Sequence, residues 1–320
     1  MAKPLIAVLL AALALAGPAA QAQAYPEKPI SFIVPSPPGG GTDAMTRLLA
    51  NKLTERLQWT IVVENRAGAG GNIGLDFAAK SVPDGHTIVM GESSNLTINP
   101  YLYKKLPFDA AKDVTPVALV GTVPLVLVAA QAKPFDSLPT LIAAAKQKQL
   151  SFASSGNGTV GHLVGETWQR AAGITLVHVP YKGAGPVMVD LLSGEVDMHF
   201  ASLPAAISLI KGGKLRALAV TAPQRLAALP DVPTLIESGY AAAEYSVLYG
   251  VMAPAGTPPA IVTRLNAEIN RALATDDMKA ALADRGLVAR QGPPEQFGAF
   301  LAAERTKWET AVKQSGATVD

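Results

Sequence analysis

Short β-branched runs alternate with stretches of helical period along most of this sequence. In the first part, ISFIV, TIVVE and HTIVMG are separated by helical patterns at 43–56 and 73–80. The middle part repeats the alternation with LSFASS, TLVHVPY, VDMHFAS and LRALAVT, separated by helical patterns at 159–172 and 186–193. Such alternation is typical of mostly parallel sheets that are covered by helices on both faces. The sequence therefore predicts an α/β protein with two sheets.

Two sheets in one chain predict two lobes. Two apolar runs, at 117–132 and 245–254, are suited to pass between the lobes, so two crossovers are expected. We therefore expect lobe 1 to combine 25–123 with 247–320, and lobe 2 to be 124–246. Three further helices are predicted near the C-terminal end, beginning at about Thr257, Asp277 and Pro294.

The first 24 residues have the three parts of a cleavable export signal. Lys3 is the positive start, an apolar run follows at 5–16, and the small residues AQA at 22–24 form a cleavage pattern. An uncleaved membrane anchor is the alternative, but the run is shorter than the about 20 residues that a spanning helix needs. Cleavage after Ala24 would leave a mature chain in the periplasm.

Composition excludes several classes of site. The chain has no cysteine, so disulfides, thiolate metal ligands and a cysteine nucleophile are excluded. The formal net charge is +2 without a long basic cluster, which argues against a nucleic-acid partner. Hydrophobic residues make up 49% of the chain, enough for two cores, in which we expect the scattered residues Trp59, Trp168 and Trp308.

A glycine-rich turn joins the first predicted strand to the first predicted helix in VPSPPGGGTDAMTRLLANKL. The first N–H groups of a helix are unpaired, and its N-terminus carries about half a positive charge. Such a turn suits a small anion, and glycines let the backbone approach it closely. The alternative is that Thr42 or Asp43 only caps the helix.

A second turn of this kind, FASSGNGTVGHLVGE, occurs in the predicted second lobe. Gly156, Gly158 and Gly161 match the G-x-G-x-x-G pattern, but the next strand ends in HVPYKG, without the acidic residue of a dinucleotide site. A nucleotide cofactor is therefore disfavoured. One helix N-terminus from each lobe would instead face a shared cleft, which predicts an anion site between the lobes.

A secreted hydrolase is the main enzymatic alternative. The sequence has no G-x-S-x-G elbow, and the pair His162 and Glu166 lacks a third metal ligand, so we expect structural roles for the four histidines. Asp197 and Ser202 remain candidate site residues, because a strand of the second lobe could aim either one at the cleft. Tyr181 and Lys182 follow another strand and could line the same opening.

Motifs along the whole mature chain resemble one family. They are YPEKPISFIVPSPPGGGTD, VVENRAGAGGNIG, PDGHTIV, GNGTVGHLVGE, HVPYKGAGP, LLSGEVDMHF, GKLRALAVT, LPDVPTLIESGY and APAGTPPAIVTRLN. In this order they resemble the Bug-type extracytoplasmic solute receptors of tripartite tricarboxylate transporters. The resemblance implies a two-lobed periplasmic binding protein of the Venus flytrap kind, type II-like, usually monomeric, without catalysis or cofactor. It also implies a carboxylate ligand and a membrane permease of a large and a small subunit.

The resemblance also implies where the ligand binds. The family holds the ligand carboxylate with the loops that match 38–43 and 154–159, through main-chain groups, hydroxyls and ordered water. Ser36 departs from the family, which commonly has a bulky residue there, so larger or aromatic carboxylates become admissible. A receptor that informs a sensor protein instead of a permease is the alternative. The candidate ligand-binding residues are Ser36, Pro38, Gly39, Gly40, Gly41, Thr42, Asp43, Asn95, Ser154, Ser155, Asn157, Gly158, Thr159, Tyr181, Asp197 and Ser202.

Overall fold

The computed structural model describes residues 25–241, 245–317 and 319. The predicted export signal at 1–24 lies outside the described residues. The strands are β1 Ile30–Val34, β2 Ile61–Asn65, β3 Thr87–Glu92, β4 Val114–Ala130, β5 Leu150–Ser154, β6 Leu176–Pro180, β7 Met198–Ser202, β8 Leu215–Val220, β9 Ser246–Pro254 and β10 Val288–Ala289. The α-helices are α1 Gly41–Leu57, α2 Asn72–Ala79, α3 Asn99–Leu102, α4 Leu138–Gln147, α5 Val160–Ala171, α6 Ala184–Ser193, α7 Leu203–Lys211, α8 Pro259–Leu273, α9 Asp276–Ala283 and α10 Pro294–Ser315.

Two sheets share one strand, and we call the parts of the molecule built on them lobe 1 and lobe 2. The sheet of lobe 1 has the order β2-β1-β3-β9-β4, with β10 also paired to β4. The sheet of lobe 2 continues as β4-β7-β5-β6, with β8 also paired to β4. Strands β1, β2 and β3 are parallel to one another, as are β5, β6 and β7. The pairs made by β4 and β9 are antiparallel, so each sheet is parallel only in its outer part.

Strand β4 is the passage between the lobes. It is 17 residues long, and its partners change along its length. Residues 114–124 pair with β9, whereas 125–130 pair with β7 and β8. The apolar run predicted as a crossover is therefore part of one continuous, mostly buried strand as far as Ala130, and its last two residues, Gln131 and Ala132, lie in an exposed turn. The lobe boundaries given above stay a proposal, which the change of partner between Pro124 and Leu125 supports.

The core runs through both lobes without interruption across β4. Trp168 and Trp308 are fully buried and Trp59 is 8% exposed, so the prediction that these rings pack into cores is confirmed. The four helices predicted in the first two thirds of the chain correspond to α1, α2, α5 and α6, with ends that differ by one or two residues. Among the described residues, no helix is both long enough and apolar enough to span a bilayer.

Candidate functional site

A cavity of about 750 Å³ lies between the lobes. Lobe 1 lines it with the turn before α1, the loop at 67–71 and the end of β3. Lobe 2 lines it with the turn before α5, the segment at 180–184 and the end of β7. These segments follow the carboxyl ends of parallel strands, where ligands bind in open α/β sheets. The two glycine-rich turns picked out in the sequence therefore meet at one cavity.

The first turn brings the start of α1 to the cavity. Gly40 is in the extended conformation that precedes the helix, with no side-chain cap. Gly40, Gly41 and Thr42 line the cavity, whereas Pro38 and Gly39 are exposed outside it. The absence of a capping side chain leaves the first N–H groups of α1 available to an acceptor in the cavity.

Asp43 stabilises this turn from the side that faces away from the cavity. Its carboxylate accepts hydrogen bonds from the Gly39 N–H (3.0 Å), Arg47 Nε (3.0 Å) and Asn65 Nδ2 (3.0 Å). Burial raises the pKa of Asp43, but these hydrogen bonds outweigh it and bring the pKa below its usual value. Asp43 does not line the cavity. Its role in the structure is to fix the glycine turn, by accepting from a residue that precedes the helix.

The second turn is fixed by a pair of histidines beneath it. The Gly158 N–H donates to His162 Nδ1 (3.1 Å), and Ser154 Oγ is 2.7 Å from His178 Nε2. The two imidazole rings stack with their centroids 4.0 Å apart. Burial lowers the pKa of His162 to about 3, helped by the neighbouring His178, and lowers that of His178 to about 4. Both rings are therefore neutral near pH 7 and act as packing and hydrogen-bonding groups.

The polar surface of this turn faces the cavity through Ser155, Asn157 and Thr159. Thr159 directly precedes α5, and its Oγ1 donates to the Gly156 carbonyl at 2.8 Å. The Thr159 side chain does not cap α5, so the first N–H groups of this helix are also available. Gly156 has φ +138°, a conformation that only glycine adopts without strain.

The lobes touch around the cavity. A Cβ added at Gly41 would overlap Ser202 Oγ and lie 2.6 Å from Tyr249 Oη. A Cβ added at Gly183 would lie 2.5 Å from Pro37 Cγ. Glycine is thus required at these two points if lobe 1 and lobe 2 are to approach this closely.

A polar cluster that was not predicted from the sequence lies at the base of the cavity. Thr42 Oγ1 donates to Glu92 Oε2 at 2.6 Å, and the Tyr249 hydroxyl interacts with Thr42 and Ser202. Burial raises the pKa of Glu92, and the Thr42 hydrogen bond offsets this only in part. Burial also raises the pKa of the Tyr249 hydroxyl. Glu92 is the last residue of β3, and the sequence signal that could have found it is its position directly after an apolar strand.

The structure separates the predicted site residues into two groups. The residues that line the cavity are Ser36, Gly40, Gly41, Thr42, Ser155, Asn157, Thr159, Tyr181 and Ser202. The residues that do not line it are Pro38, Gly39, Asp43, Asn95, Ser154, Gly158 and Asp197. Further lining residues that were not predicted are Glu92, Ser94, Tyr103, Gly183, Ala184, Val247, Tyr249 and Val319.

Asp197 lies at the opposite end of β7 from the cavity. Its carboxylate pairs with Lys133 Nζ at 2.7 Å and accepts the Ser151 N–H at 2.9 Å. The sequence suggested that Asp197 or Ser202 would face the cleft. Ser202, at the other end of the strand, lines the cavity, and Asp197 does not. Within the described residues, no group of three or more acidic or histidine side chains is arranged to hold a metal ion.

Two α/β lobes joined by a shared strand, with a polar cavity between them, define the fold class of periplasmic binding proteins. Residues 45–317 match the family described as tripartite tricarboxylate transporter family receptor, TctC, and the chain belongs to this family. BugT of Bordetella pertussis is 42% identical over 318 residues, which are 98% of this chain and 98% of BugT. The predicted two-lobed fold and Bug-type family membership are thus confirmed.

Solved structures agree with this assignment. A protein of R. palustris, determined with adipate, is 34% identical with a TM-score of 0.89, covering 92% of this chain and 99% of that one. MatC of Rhodopseudomonas palustris, determined with bound malate, is 31% identical with a TM-score of 0.84, covering 90% of this chain and 100% of that one. The family and these similar structures are binding proteins.

Proposed function

We propose that this chain is a periplasmic receptor that captures a small carboxylate between its lobes and delivers it to a tripartite tricarboxylate-type permease. The observation that carries the proposal is the cavity at which an uncapped helix from each lobe begins, α1 and α5. The adipate and malate of the two R. palustris structures are carboxylates, which supports this ligand class. The receptor acts as a monomer, without catalysis, and its partners are the large and small permease subunits.

Several weak contacts must act together to hold such a ligand. A dissociation constant of 1 µM corresponds to about 8 kcal/mol, whereas one helix N-terminus contributes about 1 kcal/mol to an anion. The hydroxyl and amide groups of Ser155, Asn157 and Thr159 supply further hydrogen bonds in this proposal. Ser36 is suited to add another, because its Oγ is buried at the cavity without a hydrogen-bond partner in the described part of the chain.

Capture and release follow from movement of the lobes. In this proposal the open form binds the carboxylate on the lobe 1 turn, and lobe 2 then closes to bring its own turn onto the ligand. The close approach of Gly41 to Ser202 and of Gly183 to Pro37 belongs to the closed form. A ligand favours the closed form only if it binds that form more tightly than the open form. The contacts made by lobe 2, which form only on closure, must therefore supply this difference in affinity. The permease then recognises the closed shape.

The ligand class is tested by the thermal shift of the mature chain with a panel of dicarboxylates, tricarboxylates, acidic amino acids and aromatic carboxylates. A ligand at a hundred times its dissociation constant stabilises a protein by about 2.7 kcal/mol, which raises the melting temperature by several degrees. We expect a shift confined to one chemical class. If folded protein freed of co-purified ligand shows no shift with any carboxylate, the proposal is wrong.

The permease is tested separately by uptake of the radiolabelled ligand in cells that lack the gene for this chain. We expect uptake to fall and to be restored by the wild-type gene, but not by a gene whose product has lost ligand binding. Normal uptake in the deletion strain would favour the alternative in which the receptor informs a sensor protein.

A further inference from the structure

A carboxyl group forms part of the cavity wall, which is unexpected in a receptor for anions. Among the cavity-lining residues that the structure describes, Glu92 and Lys182 are the charged ones. Lys182 is exposed, whereas Glu92 is at the base of the cavity between Thr42 and Tyr249. No basic side chain of the described chain pairs with Glu92. Burial raises the pKa of Glu92, so its ionised form lacks a partner that a donor group of the ligand would supply.

The position of Glu92 is fixed from both sides. Its backbone N–H donates to Asn95 Oδ1 at 3.1 Å, and its Oε2 accepts from Thr42 Oγ1 at 2.6 Å. Its second oxygen, Oε1, has no hydrogen-bond partner among the described residues. Glu92 therefore presents one free oxygen at the cavity from a side chain that the protein already holds in place.

The remaining polar groups of the cavity suit a different part of the ligand. The starts of α1 and α5 and the hydroxyl of Ser155 are donors, so they suit a carboxylate, whereas the Thr159 hydroxyl already donates to the Gly156 carbonyl. A second carboxylate placed at Glu92 would face a carboxyl oxygen, and like charges at one site disfavour each other. An ammonium or hydroxyl group placed there would donate to Oε1 and complete its hydrogen bonding.

We propose that Glu92 selects carboxylates that also carry a hydrogen-bond donor, an ammonium group above a hydroxyl group, over plain dicarboxylates of the same length. The inference rests on the proposed function, since it assumes that the helix starts hold a ligand carboxylate. It narrows the ligand class to amino acids and hydroxy acids.

The test is calorimetric titration of the mature wild-type chain and of Glu92→Gln with acids matched in carbon skeleton. The sets are succinate, malate and aspartate; glutarate, 2-hydroxyglutarate and glutamate; adipate and 2-aminoadipate; and 3-phenylpropionate and phenylalanine. Glutamine keeps the size of the side chain and an acceptor for Thr42, so the variant is expected to fold. Its melting temperature without ligand checks this. Glu27→Gln, at an exposed carboxylate outside the cavity, is the matched control.

In the wild type, we expect the amino or hydroxy acid of one set to bind at least about tenfold more tightly than the plain acid, a difference of about 1.4 kcal/mol. Glu92→Gln should reduce this preference at least about tenfold, by the same measure, and Glu27→Gln should leave it unchanged. A wild type that prefers a plain dicarboxylate, with the same preference in Glu92→Gln, would overturn this inference alone. That outcome would mean that Glu92 acts as a neutral donor, which glutamine can replace. If no carboxylate binds the wild type, the proposed function fails and the inference fails with it.

Discussion

Gly41 in lobe 1 and Ser202 in lobe 2 approach so closely that a Cβ at position 41 would overlap the serine Oγ. The two residues are far apart in sequence, and in the proposed closure of the cleft they mark a point where the two lobes meet. Gly41→Ala should therefore hinder closure, although the added Cβ would also require the Tyr249 hydroxyl of lobe 1 to shift. Helix α1 should stay intact, since alanine is favoured within a helix.

We expect Gly41→Ala to weaken ligand binding by at least about tenfold, or about 1.4 kcal/mol, and small-angle scattering with ligand should show a more open shape. Gly40→Ala is the control, because a Cβ there would be 3.8 Å from its nearest neighbours, Ala184 Cβ and the Pro37 carbonyl oxygen. Equal affinities of the two variants would show that the contact between Gly41 and Ser202 does not limit closure.

The turn before α5 allows a test of which hydroxyl groups contact the ligand. Replacing Ser155 and Thr159 together by alanine removes two hydroxyls from the cavity wall. We expect affinity to fall by about 1 to 3 kcal/mol, because ligand acceptors are left without partners. Calorimetry measures the loss of affinity. The single variant Thr159→Ser, which keeps both hydroxyls, should retain most of the wild-type affinity. Full affinity of the double alanine variant would remove this turn from the proposed site.

The Tyr249 hydroxyl lies where the lobes meet and interacts with Thr42 of lobe 1 and Ser202 of lobe 2. Tyr249→Phe should weaken ligand binding by about 1 kcal/mol, the usual contribution of one hydrogen bond, with little loss of packing because the ring is retained. Tyr240→Phe is a control, since that ring contacts Trp168 outside the cavity. An affinity for Tyr249→Phe equal to that of wild type would show that this interaction is unimportant in the liganded form.

Asp197 should matter for stability and not for binding. Its ion pair with Lys133 and its hydrogen bond from Ser151 join the amino end of β7 to neighbouring segments of lobe 2. We expect Asp197→Ala to lower the free energy of unfolding by about 1 to 3 kcal/mol, measured in urea, and to leave the dissociation constant unchanged. A variant of normal stability with weakened binding would contradict this placement.

The stacked histidines should make the protein sensitive to acid. The pKa values of His162 and His178 are about 3 and about 4 in the folded protein, below the usual 6.5. As the pH falls below 6.5, the unfolded chain takes up protons that the folded protein does not, so stability is lost. Each histidine contributes a slope of about 1.4 kcal/mol per pH unit within that window.

Urea unfolding between pH 7 and pH 4 measures this slope. Replacing both histidines by glutamine should make it shallower, while His199, whose pKa burial lowers to about 4, continues to contribute. An unchanged slope in the double variant would mean that other groups, such as His199 and the carboxylates, determine the acid sensitivity.

Local sequence signals predicted most of the fold. Helices α1, α2, α5 and α6 were found because each follows a strand and a turn and shows a helical period. Helix α4 was missed although Ser137 and Thr140 form a capping box at its start, because half of its apolar residues are alanine and give a weak pattern. The full length of β4 was also missed, since Gly121 and Pro124 suggested interruptions that its pairing with β9 tolerates.

The parts of the candidate site that are formed by backbone turns could be predicted from the sequence. The two glycine turns could be placed because their chemistry is local to a strand, a turn and a helix start. Glu92 and Tyr249 could not, because their importance depends on which strands become neighbours in the sheet. Asp197 was a candidate because it is a carboxylate beside a predicted strand. Ligands bind at the carboxyl ends of parallel strands, but Asp197 lies at the amino end of β7. The sequence pattern alone does not distinguish these two positions.

The sharing of β4 has a consequence for folding. Its first part is completed by β9, residues 246–254, and its second part by β7 and β8. The sheet of lobe 2 is built from one contiguous segment, β4 to β8, but the sheet of lobe 1 needs β9, so it can close only once the chain as far as β9 is available. Long-range pairing of this kind slows folding. It also joins the two lobes into one cooperative unit, so that denaturation of one should carry the other with it.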